Sequence, residues 1–112
     1  MVNTDWVEEF PAMISVCDAD GIILAMNQKE ADHYKDRGGK NLIGTNLFDC
    51  HKKRSVNIIK RIMQTQKVRL YTVEEKGKKE LVIQSPWYQN GEFKGLVEIV
   101  VEVKDEVERI IR

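Results

Sequence analysis

At 112 residues the chain has room for one hydrophobic core and hardly for a second, and 42% hydrophobic with 32% charged residues is the mix of a globular protein, not of a disordered chain. The balance of 18 Lys and Arg against 18 Asp and Glu leaves no net field to draw the chain onto a phosphate backbone, and the Lys52, Lys53, Arg54 run reads as a solvated helix end, so nucleic acid is not an expected partner. Apolar runs reach only about five residues against the ~20 needed to span a bilayer, so no membrane is expected. The N-terminus also lacks the basic and apolar regions of a secretion signal, which makes a cytoplasmic address the expectation.

Asp5 with Glu8 three residues on resembles a capped helix start, and Trp6, Val7 and Phe10 then share one helical face before Pro11. This predicts a short amphipathic N-terminal helix over residues 1–11. The runs "MISVC" and "IILAM", parted by "DADG", predict an antiparallel hairpin on a type I turn, with Gly21 taking positive φ. Asn27 then stands as an N-cap, its side chain accepting an orphan N–H while Glu30 reaches back, and Gly38 and Gly39 end the helix. "NLIGTNLFDC" reads as a loop with short helical turns, Asn46 being a second cap with Asp49 at its third position. Cys17 and Cys50 lack metal or disulfide spacing and read as small buried hydrophobes.

Val56, Ile59, Ile62 and Met63, with Ile58 beside them, recur at helical spacing and predict a helix over residues 52–66. Three strand-like runs follow, "VRLYTVEE", "ELVIQSPWY" and "FKGLVEIVVEV", and the Asn90-Gly91 pair between the last two is a strong type I′ hairpin signal. Alternation in the last run puts Phe93, Val97, Ile99, Val101 and Val103 on the expected core side. Leu96 and Val100 fall with Lys94, Glu98 and Glu102 on a mixed outer side. The tail, residues 104–112, carries Val107, Ile110 and Ile111 as a thin helical stripe.

This order of elements, over residues 10–103, resembles the PAS domain, a sensory module of signalling proteins. "DADGIILAMNQKEADHY" is similar to the PAS opening, and "LIGTNLFDCH" to the later turn into a short helix. The resemblance implies an α+β fold for residues 12–103: a five-stranded antiparallel sheet with helices packed on one face, flanked by an N-terminal helix and a C-terminal helical tail. It also implies a small pocket between sheet and long helix, signalling by ligand occupancy, and a dimer built on flanking helices.

On that resemblance Leu47, Phe48, His51, Ile59, Ile62, Met63, Ile83, Val97 and Ile99 are the candidate ligand walls, with Thr72 and Ser85 as polar contacts. The alternative is that the same residues fill a core without a void. Light-sensing relatives bond flavin through a cysteine where this chain has Leu47, with Cys50 a helical turn away, so a flavin photoadduct is not expected. Haem held by His51 is the alternative cofactor reading; the plainer role for His51 is a backbone hydrogen bond at a helix end, and His33 is expected to face solvent. Catalytic motifs are absent: no nucleophile elbow, no H-E-x-x-H, no phosphate loop, and Glu8-Glu9 and Glu74-Glu75 split across faces. No metal site and no enzymatic activity are therefore expected.

Trp6, Val7 and Phe10, packed on Leu96 and Val100, form the expected homodimer interface, against a monomer whose first helix folds back. The sequence reading is thus a sensory module that binds a small ligand or a downstream signalling protein. A haem sensor and a ligand-free dimerisation or scaffolding domain stand as alternatives.

Overall fold

The computed structural model describes residues 4–104 and 106–112, apart from the side chains of Thr4 and Cys50. Strands β1 (Met13–Asp18) and β2 (Ile23–Met26) form the first hairpin. Helices α1 (Gln28–His33), α2 (Leu47–Cys50) and α3 (Lys53–Thr65) follow, then β3 (Arg69–Glu75), β4 (Lys78–Gln89) and β5 (Glu92–Val103). One antiparallel sheet holds all five in the order β2-β1-β5-β4-β3, so the last strand lies beside the first.

The turns form as their residues dictate. Gly21 takes φ 87 and donates its N–H to the Asp18 carbonyl at 3.1 Å, while Asp18 Oδ1 accepts from the N–H groups of Asp20 and Ile22. Asn90 and Gly91 stand at φ 54 and 79, the type I′ pair that closes β4 on β5, and Lys76-Gly77 repeats that geometry between β3 and β4. Gly95 sits where a Cβ would collide with the backbone of Cys17 and Asp18, so β5 can approach the end of β1 only without a side chain there. Trp87 Nε1 bonds the Cys17 carbonyl across the same point at 3.0 Å.

Register decides which side of the sheet meets the helices, and it reverses the expected side. Leu96, Glu98 and Val100 stand opposite Cys17, Ser15 and Met13 on β1, and opposite Pro86, Gln84 and Val82 on β4. Directly opposed residues share a face. That face is the inner one: Cys17 and Leu96 cluster with Leu47, Ile59, Ile62 and Met63, while Met13, Val82 and Val100 form a second cluster. Val97, Ile99, Val101 and Val103 therefore lie on the outer face. Only Phe93, displaced by the register shift at Trp87/Tyr88, packs inward as expected. The reversal has a physical cause: β5 is apolar on both sides, so counting hydrophobes does not identify its core side, and the polar Glu98 belongs to the interior.

Helix α3 buries Val56, Ile59, Ile62 and Met63 as its periodicity predicts, ending at Gln66 with φ 56. Each such burial stabilises by roughly 1.5–3 kcal/mol. Asn27 caps α1 by accepting the Glu30 N–H at 3.2 Å, and Asn46 caps α2 by accepting the Phe48 N–H at 2.9 Å. The expected reach-back of Glu30 does not occur, because the Asn27 N–H is already bonded to the Ile14 carbonyl.

Both terminal segments depart from expectation. Residues 1–3 lie outside the described residues; over residues 4–11 the expected N-terminal helix is a single 3-10 turn, Thr4–Val7, whose following residues form a strap: the Glu8 carbonyl accepts the Gln28 N–H and the Glu8 carboxylate pairs with Lys40 at 2.7 Å. Lys104 and residues 106–112 carry no regular secondary structure, and Val107, Ile110 and Ile111 are exposed, so the expected helical tail is absent there; Asp105 lies outside the described residues. A thin apolar stripe with nothing to pack against does not hold a helix, since short helices draw their stability from tertiary contact.

Candidate functional site

The inner face of the sheet is not apolar throughout. Between the two clusters runs a polar row, Ser15 on β1, Glu98 on β5, Gln84 on β4 and Arg69 on β3, set in register. Arg69 donates to Gln84 Oε1 at 3.1 Å, and Gln84 Nε2 donates to Glu98 Oε2 at 2.7 Å. The Arg69 guanidinium also stacks over the Tyr71 ring at 4.1 Å. Burial, and then the Glu98 charge, push the Tyr71 hydroxyl pKa up.

Over Ser15 and Glu98 the helices leave a cavity of about 350 Å³. Its apolar wall is Ile23, Met26, Leu47, Ile59 and Leu96, and its polar groups are Ser15, Glu30, Tyr34, Ser55 and Glu98. Arg37, His51 and Lys52, all exposed, also line it. A mostly apolar wall with a few placed polar groups is the usual composition of a small-molecule site.

Glu30 is the unusual member. Its residue is only 6% exposed, yet among the described residues no side chain or backbone N–H bonds its carboxyl and no cation pairs with it. Burial, and then the Glu98 charge, push its pKa from 4.5 up to about 7. Cys17, also on the wall, has its thiol pushed up to about 11 by burial, so it stays protonated and a poor nucleophile at neutral pH. His51 Nδ1 lies 2.7 Å from the Leu47 carbonyl, the backbone contact expected of a helix-end histidine. Among the described residues no three His, Cys, Asp or Glu side chains gather where they would hold a metal.

Of the residues singled out in the sequence, Leu47, His51 and Ile59 line this cavity. Ile62 and Met63 are buried in the cluster beside it, and Phe48 packs against that cluster, beneath Gly21, with Lys60 Nζ 5.0 Å from its ring centre. Thr72, Ile83, Ser85, Val97 and Ile99 share the outer face, away from the cavity, a consequence of the reversed register. Leu96, expected at an interface, is a cavity wall, and Val100 is buried against Met13 and Val82, so neither is available to the N-terminal segment. Trp6 and Phe10 remain exposed at 55% and 41%, their rings edge to face at 5.7 Å, with Val7 half-buried between them in sequence. His33 is exposed against Tyr34. The buried Cys17 fulfils its expectation; the side chain of Cys50 lies outside the described residues.

Sequence reasoning missed Glu30, Glu98 and Ser15. A single carboxylate inside the otherwise apolar run "GLVEIVVEV" was the available signal for Glu98. Glu30 announced itself only as a capping residue.

No family model and no curated protein matches the chain. Solved structures do. The PAS domain of the histidine kinase ThkA superposes with a TM-score of 0.66 over 80% of this chain and 97% of its own, at 14% identity. The PAS domain of an HTR-like protein from Haloarcula marismortui gives 0.61 over 88% and 86%, at 20% identity. The Aer2 receptor from Vibrio cholerae, described as a dual PAS-heme oxygen sensor, gives 0.61 over 83% and 95%, at 14% identity. Strand order, the helices on one face and these superpositions together establish that the chain has the PAS fold.

Proposed function

We propose that the chain is a sensory module that binds a small molecule in the cavity between β1, β5 and the helices, without covalent chemistry. The observation that carries this reading is Glu30: the carboxyl of a buried residue, opening onto a cavity wall without a partner among the described residues, is costly to a domain that uses the space only as core. Occupancy would be transmitted through α1. Asn27 caps that helix and also holds the N-terminal strap, so a ligand that favours one position of Glu30 biases the strap as well. The strap's exposed Trp6 and Phe10, with the apolar outer sheet face, are the surface offered to a second copy or a downstream signalling protein.

The deciding experiment is a fragment screen on isotopically labelled protein by 1H–15N correlation spectroscopy. Hits are expected to shift amides of Glu30, Leu47, Ile59 and Leu96; a library that shifts only outer-face amides, or none, overturns the reading. Light scattering on a sizing column checks the second copy, with twice the monomer mass expected.

The haem alternative fits the site less well. The cavity lies at the low end of the ~300–1,000 Å³ of ligand pockets, and its floor carries two carboxylates that repel propionates. Added haemin is expected to give no Soret band that His51→Ala abolishes.

A further inference from the structure

The cavity is unequal in charge from floor to mouth, and that asymmetry narrows the ligand, if the cavity is a binding site as proposed above. Two carboxylates on separate elements, Glu30 on α1 and Glu98 on β5, face the same space. Glu98 has one donor, Gln84 Nε2, whereas Glu30 has none among the described residues. The cations that line the space, Arg37 and Lys52, are both exposed and neither pairs with Glu30. The protein thus places a strong acceptor at the floor and, among the described residues, supplies it with no donor, while Leu47, Ile59 and Leu96 offer an apolar wall above it.

We infer that the cavity selects a small organic amine: a protonated nitrogen lodged between Glu30 and Glu98, on a short apolar body lying against Leu47, Ile59 and Leu96. An ammonium or amidinium brings both the missing donors and the missing positive charge in one group, which a neutral alcohol does not. A bare metal ion is the poorer match, since hard cations take six or more oxygens and the floor offers two carboxylates and the Ser15 hydroxyl. A carboxylate-headed ligand would stand against two like charges. The remaining titratable groups facing the space are Tyr34 just after α1, Cys17 on β1, Arg37, His51 and Lys52. The cationic ones stand at the exposed side, where they repel a second positive charge and leave the far end of the ligand neutral or anionic.

The test is a titration of the full chain with four probes of equal length, hexylamine, 6-aminohexanoate, hexanoate and hexan-1-ol, followed by calorimetry and by the amide shifts of the cavity walls. Both amines are expected to bind and the other two to be at least tenfold weaker. Because the ammonium favours ionised Glu30, amine affinity is expected to rise about tenfold from pH 6 to pH 8, the change in the ionised fraction of a group that titrates near 7. Glu30→Gln should weaken the amines at least tenfold and remove that pH dependence. Should the variant fail to fold, the side-chain carboxyl 13C resonance of Glu30 in the natural sequence serves instead, its titration moving to lower pH when hexylamine is saturating. Equal binding of hexan-1-ol or hexanoate at the cavity walls overturns the amine inference and leaves the cavity as a binding site. Magnesium chloride reproducing the hexylamine shift of Glu30 overturns it in favour of an inorganic cation. If none of the four probes moves a cavity amide, the amine inference falls, and the fragment screen decides separately whether the cavity binds anything.

Discussion

Asn27 and Glu30 stand one helical turn apart, both buried and both polar, and the chain treats them in opposite ways. The side chain of Asn27, 1% exposed, is saturated: Oδ1 accepts from Ile14 and Glu30 N–H at 3.0 and 3.2 Å, and Nδ2 donates to the Ala12 and Phe10 carbonyls at 2.7 and 3.4 Å. The carboxyl of Glu30 has no such partner among the described residues and faces the cavity. A buried polar group that is fully bonded ties elements together, here the strap, β1 and α1. One that is drawn out of bulk water, left unbonded and opened onto a cavity costs stability, and persists where something other than the fold uses it. The largest expected effect therefore falls on the saturated residue. Asn27→Ala removes all four side-chain bonds and orphans donors at two element ends, and is expected to cost about 3 kcal/mol in urea denaturation. A loss below about 1 kcal/mol would erase the distinction between the two residues.

For Glu30 the expected sign is reversed above neutral pH. Its pKa is raised in the folded chain, from 4.5 to about 7, so folding favours the protonated form. The stability this contributes is complete below pH 4.5 and is lost as the pH rises through about 7, to a total of up to about 3 kcal/mol. Glu30→Gln keeps the shape and removes the charge. It is expected to gain about 1–2 kcal/mol over the natural sequence at pH 8.5, less than the full difference because the new amide also lacks a partner, and to gain nothing near pH 4. Thermal melts across that range measure it. A variant less stable than the natural sequence at pH 8.5 would mean that ionised Glu30 makes contacts the fold depends on.

The same two residues show what the sequence made legible. Asn27 acts through the backbone around it, so an Asn before good helix formers was enough to place the cap; "DADG" and Asn90-Gly91 were readable for the same reason. The backbone N–H of Glu30 was likewise placed correctly at the third position of the helix. Its carboxyl was not, because whether that group turns back to the cap depends on β1, whose Ile14 carbonyl already takes the Asn27 N–H. Among the cavity walls, Ile59 was legible from the periodicity of α3, and Leu47 and His51 from the resemblance carried by "LIGTNLFDCH". The sheet's contribution was not: a charge in a strand suggests a solvent face, and with valines and isoleucines on both sides of β5, only the pairing of Leu96 with Cys17 and of Val100 with Met13 settles the matter. The termini failed for a third reason, since local helix preference at residues 4–11 and 106–112 is too weak to act without a packing surface.

The smallest expected effect separates the two causes of the Glu30 perturbation. Burial is the larger and the Glu98 charge the smaller. Glu98→Gln removes that charge while its amide oxygen can still accept from Gln84 Nε2, so the polar row survives and the melting temperature should change little. The Glu30 titration, followed by side-chain carboxyl 13C shifts, is then expected to move below about 7 but to stay clearly above 4.5. A fall to 4.5 would mean that repulsion between the carboxylates, and not desolvation, sets the state of Glu30, and the floor of the cavity would then be open to water. No movement at all would mean that the two carboxylates do not share one space, which is the geometric condition for their acting on a single ligand group.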